Sequence, residues 1–342
     1  MSDYQWFTLA GGPILEINVQ ERNIEKANQI KKSTARLSIA SNALLVVMKL
    51  IVGFSIGSVS IISEAIHSGI DLVAALIAYI SVKKSSEPPD LEHRFGHGKF
   101  EDFSGVIEGV LIFVAALIIV YEAVQKLLGH GSGMETGLLL YAGIGVMFAS
   151  AAANWLVSSR LMKAARETES IALEADAWHL RTDIYTSLGI FAGLVLIKLT
   201  GWKFLDPVFA ILVALFITKA AYDLTRRAIS DLMDSKLPDA EEEKIKSILK
   251  DHYEQYANFH ELRTRRSGSD RFMDLHLVVP KDLTVYEAHH LSDHLESDLQ
   301  AEFPRSSITI HFEPCDEECE KCASICKERK CPEQKNAEEN SE

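Results

Sequence analysis

Apolar residues are gathered into long, nearly uninterrupted runs that end at about residue 224, and the remainder of the chain is far more polar. Each run is long enough to cross the hydrocarbon core of a bilayer, which takes about 20 residues in a helix. The pattern predicts six transmembrane helices and therefore a lipid bilayer as the surroundings. We place them at about 35–56, 59–82, 103–127, 136–159, 177–199 and 204–224.

The polar remainder has the periodicities of a small soluble domain. Helical spacing and strand-like alternation follow one another in the order α-β-β-α-β, which predicts a small α+β domain. The segments concerned are 240–256, 262–266, 272–279, 287–303 and 307–312. We divide the chain into an N-terminal segment, a six-helix transmembrane domain, a cytoplasmic α+β domain and a tail, at 1–32, 33–228, 235–314 and 315–342.

Lysine and arginine residues flank the six runs unequally. One side of the membrane has Lys31, Lys32, Arg36, Lys83, Lys84, Arg94, Lys99, Arg160, Lys163, Arg166, Arg226 and Arg227. The other side has little beyond Lys126, Lys198 and Lys203. The positive-inside rule then places both termini in the cytoplasm, in a multi-pass protein of the inner (cytoplasmic) membrane. The first residues lack the apolar core and cleavage site of a secretory signal.

Charge is concentrated in the polar part of the chain. Residues 231–342 contain 27 acidic and 15 basic residues, which accounts for nearly all of the net charge of −13. Such a field repels phosphate backbones and attracts cations, so we expect no nucleic-acid partner. The motifs HExxH, GxxxxGK[ST] and GxSxG are absent from the sequence. We therefore expect neither an enzyme nor a transporter that hydrolyses ATP itself.

Two histidine–aspartate pairs interrupt the apolar runs. His67 and Asp71 lie in the second run, and His179 and Asp183 lie in the fifth. A spacing of four places each pair on one helix face, and ionisable groups inside a membrane normally face a partner, an ion or a cavity. Two imidazoles and two carboxylates form a ligand set that suits Zn²⁺. A proton site or a purely structural hydrogen-bonded pair are the alternatives.

Three further groups contain residues that bind metals. Asp90, His93 and His97 precede the third run and indicate either a divalent-ion site or a surface hinge. The soluble domain has six histidines and a nearby glutamate: His260, His276, His289, His290, His294, His311 and Glu313. Histidines of an acidic domain are ordinarily solvated, although His276 and His311, in predicted strands, could converge. The tail has Cys315, Cys319, Cys322, Cys326 and Cys331. In a reducing cytoplasm these indicate soft-metal binding or a redox-sensitive tail.

Taken together, these features resemble the cation diffusion facilitator family over residues 31–314. The matching residues are Ser41-Asn42, Lys49, Gly57-Ser58-Val59-Ser60, both HxxxD pairs, His93-x-x-Gly96-His97-Gly98-Lys99-x-Glu101, Asp206-Pro207, His260-Glu261-Leu262-Arg263-Thr264-Arg265 and Ile308-Thr309-Ile310-His311. The resemblance implies a homodimer that exports divalent metal from the cytoplasm in exchange for protons. It also implies a ferredoxin-like cytoplasmic domain.

The resemblance also implies a role for each candidate ligand. The transport site would consist of His67, Asp71, His179 and Asp183, and the loop site of Asp90, His93 and His97. A binuclear cytoplasmic site would consist of His260, His276, His311 and Glu313, with glutamate in place of the more usual aspartate. Zn²⁺ is the expected metal, with Fe²⁺, Cd²⁺, Co²⁺, Ni²⁺ and Mn²⁺ left open. The rival hypotheses are a metal sensor without transport and a membrane metalloenzyme.

Overall fold

The chain divides into two compact units, Met1–Leu232 and Met233–Glu342. A computed structural model describes residues 13–56, 59–128, 138–200 and 205–315. All regular elements among the described residues of the first unit are helices, and the second unit combines helices with one sheet. Cys319, Cys322, Cys326 and Cys331 lie outside the described residues.

Long helices make up the first unit. They are α1 (Pro13–Ile56), α2 (Val59–Ser85), α3 (Lys99–Leu127), α4 (Leu138–Thr168), α5 (Ile171–Thr200) and α6 (Leu205–Leu232). Four stretches within the described residues are long and apolar enough to span a membrane: Arg22–Ser55, Ala65–Ser85, Lys99–Gln125 and Pro207–Leu232. The helices α4 and α5, with 31 and 30 residues, are also long enough to cross a bilayer. The structure does not describe the side chains of some of their residues. The helical transmembrane class is confirmed.

Small residues let α3 approach its neighbours closely. Gly105 and Gly109 are four apart, and a Cβ atom added at Gly105 would lie 3.3 Å from Cβ of Ala228 on α6. At Gly109 an added Cβ would overlap Oγ1 of Thr225 and lie 3.2 Å from its Cβ. Glycines at this spacing permit the short helix–helix distances that membrane bundles use. The contact fixes α3 against α6.

A buried ion pair links four segments of the first unit. Nζ of Lys31 on α1 lies 2.7 Å from Oε1 of Glu101 on α3, and both side chains are 1% exposed. The Ser85 hydroxyl at the end of α2 donates to the same carboxylate at 2.6 Å. The Ser170 hydroxyl, in the turn between α4 and α5, also donates to Glu101. A buried charge is tolerated when it is paired and hydrogen-bonded in this way.

The second unit is a three-stranded sheet with two helices. Its elements are α7 (Asp239–Asp251), β1 (Asn258–Ser267), β2 (Asp270–Val279), α8 (Val285–Glu302) and β3 (Ser306–Pro314). The strand order is β1-β2-β3, with β1 antiparallel and β3 parallel to β2. The predicted α-β-β-α-β order is confirmed. The first strand begins at Asn258, four residues earlier than predicted. An irregularity between His260 and Arg263 interrupts its alternation, so the sequence pattern indicated a later start.

The two faces of the sheet differ in character. Met273, Leu275 and Leu277 on β2 are buried in a core that also contains Leu249 from α7 and Leu295 from α8. Side chains alternate across a strand, so the residues between them face the other way. The intervening residues of β2 are only partly buried or exposed. This second face carries the histidines of the three strands, His260, His276 and His311.

Candidate metal centres

The intramembrane candidates from α2 and α5 lie together. Nε2 of His179 is 3.0 Å from Oδ1 of Asp71, and Nε2 of His67 is 3.8 Å from Oδ1 of Asp183. One ligand atom each from His67, Asp71 and Asp183 fall within 4.8 Å of one another. The His179 and Asp71 side chains are 8% and 5% exposed, whereas that of His67 is 51% exposed. The cluster is therefore buried on one edge and open on the other.

These distances are compatible with a single bound cation. Zn²⁺ forms bonds of about 2.0–2.2 Å, which holds tetrahedral ligand atoms about 3.4 Å apart. The observed separations are therefore within about 1.5 Å of those required, an adjustment that side-chain rotation can make. A cation bound here would replace the hydrogen bond between His179 and Asp71.

Two supporting polar contacts were not predicted from the sequence. Nδ2 of Asn154 on α4 donates to Oδ2 of Asp183 at 3.4 Å, which orients this carboxylate. Nζ of Lys49 on α1 donates to the Ser68 hydroxyl at 2.8 Å, beside His67. Asn154 follows three alanines in an otherwise apolar run, and this isolated polar residue was the available signal. Polar residues inside a membrane span usually have such a partner.

The loop candidates between α2 and α3 also converge. Oδ1 of Asp90 accepts from the backbone N–H groups of Glu92 and His93, at 2.9 and 2.6 Å. Oδ2 of Asp90 is 3.1 Å from Nε2 of His97, and the rings of His93 and His97 are 4.6 Å apart between centroids. Gly96 has φ of +82°, a conformation that favours glycine at this turn. The loop thus holds three metal-binding side chains on one side.

Two properties of the loop suit a cation. The hydrogen bond from the His93 backbone, joined by that from Glu92, lowers the pKa of Asp90 from 3.8 to about 2. Asp90 is therefore ionised at neutral pH. The His97 side chain is buried, and neither of its ring nitrogens has a hydrogen bond of acceptable geometry, although Nε2 lies 3.1 Å from Asp90. A buried imidazole without hydrogen bonds fits a metal ligand better than a structural histidine.

In the second unit, three histidines form a row across the sheet. His260 on β1 pairs in register with His276 on β2, which pairs with His311 on β3. Glu313 lies two residues beyond His311, and its oxygens are 2.8 Å from Nδ1 of His276 and 3.3 Å from Nε2 of His260. Ligand atoms from His260, His276 and Glu313 fall within 4.8 Å of one another. The register of the strands therefore assembles one compact three-ligand group.

The remaining candidates are not part of that three-ligand group, although His311 lies next to it, with its ring 4.8 Å from that of His276 between centroids. Nε2 of His311 is 4.0 Å from Glu313, and its side chain is 65% exposed. His290 contacts the Tyr286 hydroxyl at 2.9 Å, and His289 lies 3.7 Å from Asp293, both on the exposed surface of α8. Cys315 is buried and disulfide-bonded. The expected second ion at the cytoplasmic site thus depends on His311 and stays a prediction.

Comparison with known proteins matches two family models to the chain. The family described as "Cation efflux transmembrane domain" matches residues 35–233, and "Cation efflux protein, cytoplasmic domain" matches 237–315. The chain belongs to the cation efflux family. This is the group of cation diffusion facilitators that the sequence motifs resemble.

Several relatives of this cation efflux protein align over most of its length. "Uncharacterized transporter sll1263" of Synechocystis sp. is 37% identical over 84% of this chain and 92% of its own. "Cation-efflux pump FieF" of Salmonella choleraesuis is 31% identical over 82% of this chain and 93% of its own. A solved structure of the Zn form of CzrB is 42% identical, covers 25% of this chain and 97% of its own, and has a TM-score of 0.24.

Membership of the cation efflux family gives the general function of the chain. It is a multi-pass membrane protein of a family that exports divalent metal cations, and family members are transporters and not enzymes. The three groups of candidate metal ligands described above therefore belong to a transport protein.

Proposed function

We propose that the protein exports Zn²⁺ from the cytoplasm in exchange for protons, working as a homodimer by alternating access at the site of His67, Asp71, His179 and Asp183. The observation that carries this proposal is the convergence of the two HxxxD pairs, since His179 and Asp71 are in direct contact across two helices. Transport sites of secondary transporters lie within the bilayer, where alternate rearrangements expose them to either side.

The choice of Zn²⁺ follows from the donor atoms. Two imidazole nitrogens with two carboxylate oxygens suit Zn²⁺, whereas Mn²⁺ and Mg²⁺ prefer sites richer in oxygen. The same donors also accept Cd²⁺, Co²⁺, Ni²⁺ and Fe²⁺, so the preferred metal is found by comparing the transport rates of these ions with that of Zn²⁺. Zn²⁺ at the loop and sheet sites would be held by Asp90, His93 and His97, and by His260, His276 and Glu313.

Proton exchange follows from the contact between His179 and Asp71. Nε2 of His179 and Oδ1 of Asp71 are 3.0 Å apart, so a proton lies between them. These are the same two atoms that would bind a cation. Metal binding requires neutral imidazole and ionised carboxylate, so an arriving cation releases protons. Protonation at the other side of the membrane favours release of the cation. Metal and protons therefore compete for one set of atoms.

A purified protein in proteoliposomes tests the proposal. We expect saturable Zn²⁺ flux with opposite proton movement, followed by a metal-sensitive and a pH-sensitive dye, and slower flux with Mn²⁺. Asp71→Asn should abolish both movements, while Glu122→Gln, an exposed site on α3, should leave both unchanged. Zn²⁺ flux without proton movement would refute the exchange.

The second candidate is a metal sensor without transport, favoured by the partly buried group of His260, His276 and Glu313 on the sheet. It predicts Zn²⁺ binding that is lost in His276→Ala, together with no flux in the unaltered protein. The flux measurement separates the two functions, because only a transporter moves metal across the vesicle membrane.

A further inference from the structure

Two acidic side chains in the helical unit belong to none of the three metal-binding groups. Glu108 lies on α3 and Asp176 on α5, and both residues are 0% exposed. Neither carboxylate has a hydrogen bond of acceptable geometry on either of its oxygens. Buried polar atoms nearly always have a partner, so four such oxygens in one region call for an explanation.

The packing of α3 against α5 brings these carboxylates together. A Cβ atom added at Gly105 would lie 3.4 Å from Ile171 on α5. One and two turns further along, Ile112 on α3 and Ala175 on α5 lie in the same buried cluster. Glu108 lies between Gly105 and Ile112 on α3, Asp176 directly follows Ala175 on α5, and the two carboxylates interact electrostatically. The two acidic groups thus face a common space between the helices.

A third helix contributes a polar group to the same space. Ser38 on α1 is 0% exposed and lies beside Asp176, and its hydroxyl lacks a hydrogen bond of acceptable geometry. Asn42 is one turn further along α1, and its Nδ2 atom is likewise buried without a hydrogen-bond partner. The Ser38 hydroxyl is therefore close enough to interact with the Asp176 carboxylate, although the two do not form a hydrogen bond of good geometry.

Two carboxylates in such a place cannot both be ionised unless a positive charge lies between them. Taking an isolated carboxylate out of water carries a very large penalty, and a second one nearby increases it. Compensation comes from a cation or from bound protons. The Lys31 ammonium is committed to Glu101, so it serves a different carboxylate.

The position of the pair suggests which ion compensates it. Asp176 precedes His179 by three residues, so both lie on one face of α5 about one turn apart. Asp176 also interacts electrostatically with His179 and Asp71. The pair lies between the transport site and the N-terminal end of α5, the end that the distribution of Lys and Arg assigns to the cytoplasm.

We propose that Glu108, Asp176 and Ser38 form a second cation-binding station, which a divalent metal occupies on its way from the cytoplasm to the transport site. The proposal rests on the export function given above. All of its donor atoms are oxygens, so it binds Zn²⁺ more weakly than the transport site with its two imidazoles does, and it also accepts hard divalent ions such as Mn²⁺. A station that binds the transported metal weakly gives the ion an intermediate position on its way to the buried transport site. Because the binding is weak, the ion then leaves the station.

The test counts ions bound by the full-length protein, with Mn²⁺ as the probe and electron paramagnetic resonance as the readout. Glu108→Gln should bind one Mn²⁺ fewer per chain than the unaltered protein. Glu122→Gln removes an exposed carboxylate from the same helix and should bind the full number. Ser38→Ala, a small change that preserves the fold, should weaken one class of Mn²⁺ binding about tenfold.

The outcomes separate this proposal from the export function. Loss of one Mn²⁺ in Glu108→Gln, or weakened binding in Ser38→Ala where Glu108→Gln does not fold, supports the station even if no flux is found. An unchanged count with unchanged affinity in Ser38→Ala and in folded Glu108→Gln overturns it. The carboxylates would then be a protonated structural pair.

Discussion

His179 and Asp71 are 108 residues apart in sequence, yet Nε2 of one lies 3.0 Å from Oδ1 of the other. The contact joins α5 to α2, and both side chains are buried. Each residue belongs to an HxxxD pair, so the contact also brings His67 and Asp183 to the same place, 3.8 Å apart. The ligand atoms of His67, Asp71 and Asp183 lie within 4.8 Å of one another, and the contact of His179 with Asp71 places the fourth candidate beside them. Any change that moves α2 relative to α5 alters all four together.

Asn154 orients Asp183 by a hydrogen bond at 3.4 Å, and this defines the first prediction. Asn154→Ala leaves the four ligands in place but frees the Asp183 carboxylate to rotate. Loss of such an orienting partner typically costs a factor of about 10–100 in metal affinity. We therefore expect the Kd for Zn²⁺ at the transport site to rise about tenfold or more in calorimetric titration. Ser158→Ala, one turn away with its hydroxyl bonded to the Trp155 carbonyl, is the matched control and should bind normally.

The sequence alone predicted which ligand residues share a helix face, because helical geometry places residues four apart on the same side. His67 with Asp71, and His179 with Asp183, needed no knowledge of the tertiary fold. The partnership of Asn154 with Asp183 was not predictable in that way, because it depends on how α4 packs against α5. The same holds for the pairing of Lys31 with Glu101, which are 70 residues apart. Local periodicity determines faces, and only packing determines which faces meet.

The soluble unit illustrates the same distinction. Its α-β-β-α-β order followed from alternation and helical spacing, and the structure has it. The convergence of His260 with His276 depends on strand register, which places them directly opposite each other. Alternation along a strand predicts which residues share a face, but it does not give the register between strands. The grouping with Glu313 was therefore visible only through family resemblance.

The buried ion pair between Lys31 and Glu101 gives the second prediction. Glu101→Gln leaves the 1% exposed Lys31 without its carboxylate. Removing one partner of a buried pair typically costs about 3–5 kcal/mol. We expect a clear fall in the thermal unfolding temperature in detergent, and partial recovery in the double variant Lys31→Met/Glu101→Gln.

An exposed pair provides the control for that prediction. Lys84 and Glu87 lie 2.6 Å apart but are 36% and 45% exposed. Exposed pairs contribute about 0–1 kcal/mol. Glu87→Gln should therefore hardly change the unfolding temperature. Equal effects of Glu87→Gln and Glu101→Gln would contradict the assignment of Lys31–Glu101 as a stabilising link.

Close approach of α3 and α6 gives the third prediction. Gly109→Ala would place a methyl group against Oγ1 of Thr225 and 3.2 Å from its Cβ. Overpacking of this kind costs about 1–3 kcal/mol. Gly145→Ala on α4 is the matched control, since a Cβ atom there meets nothing within 4 Å. We expect Gly109→Ala alone to lower the unfolding temperature; a stable Gly109→Ala protein would mean that the helices separate without cost.

The lowered pKa of Asp90 gives the fourth prediction, about pH. The hydrogen bond from the His93 backbone lowers this pKa from 3.8 to about 2. A carboxyl with a lowered folded-state pKa contributes stability above its unfolded value and loses it as the pH falls through the folded value. The loop should therefore stay ordered down to about pH 4 and loosen towards about pH 2. Hydrogen exchange at the amides of Glu92 and His93, corrected for its intrinsic pH dependence, measures this. In Asp90→Asn that pH dependence should disappear.

Glu313 gives the last prediction, because one carboxylate contacts two histidines, at 2.8 Å to His276 and 3.3 Å to His260. Glu313→Gln replaces a charged oxygen ligand with an amide, and we expect Zn²⁺ binding at the sheet to weaken by about 100-fold or more. Glu313→Asp keeps the charge and shortens the side chain by one methylene, so we expect it to retain binding within about tenfold. Glu302→Gln removes a comparably exposed carboxylate from α8 and should bind as the unaltered protein does. Equilibrium dialysis with Zn²⁺ ranks the four proteins. If Glu313→Gln binds as tightly as Glu313→Asp, the ion is held by the histidines alone and Glu313 is merely their hydrogen-bond acceptor.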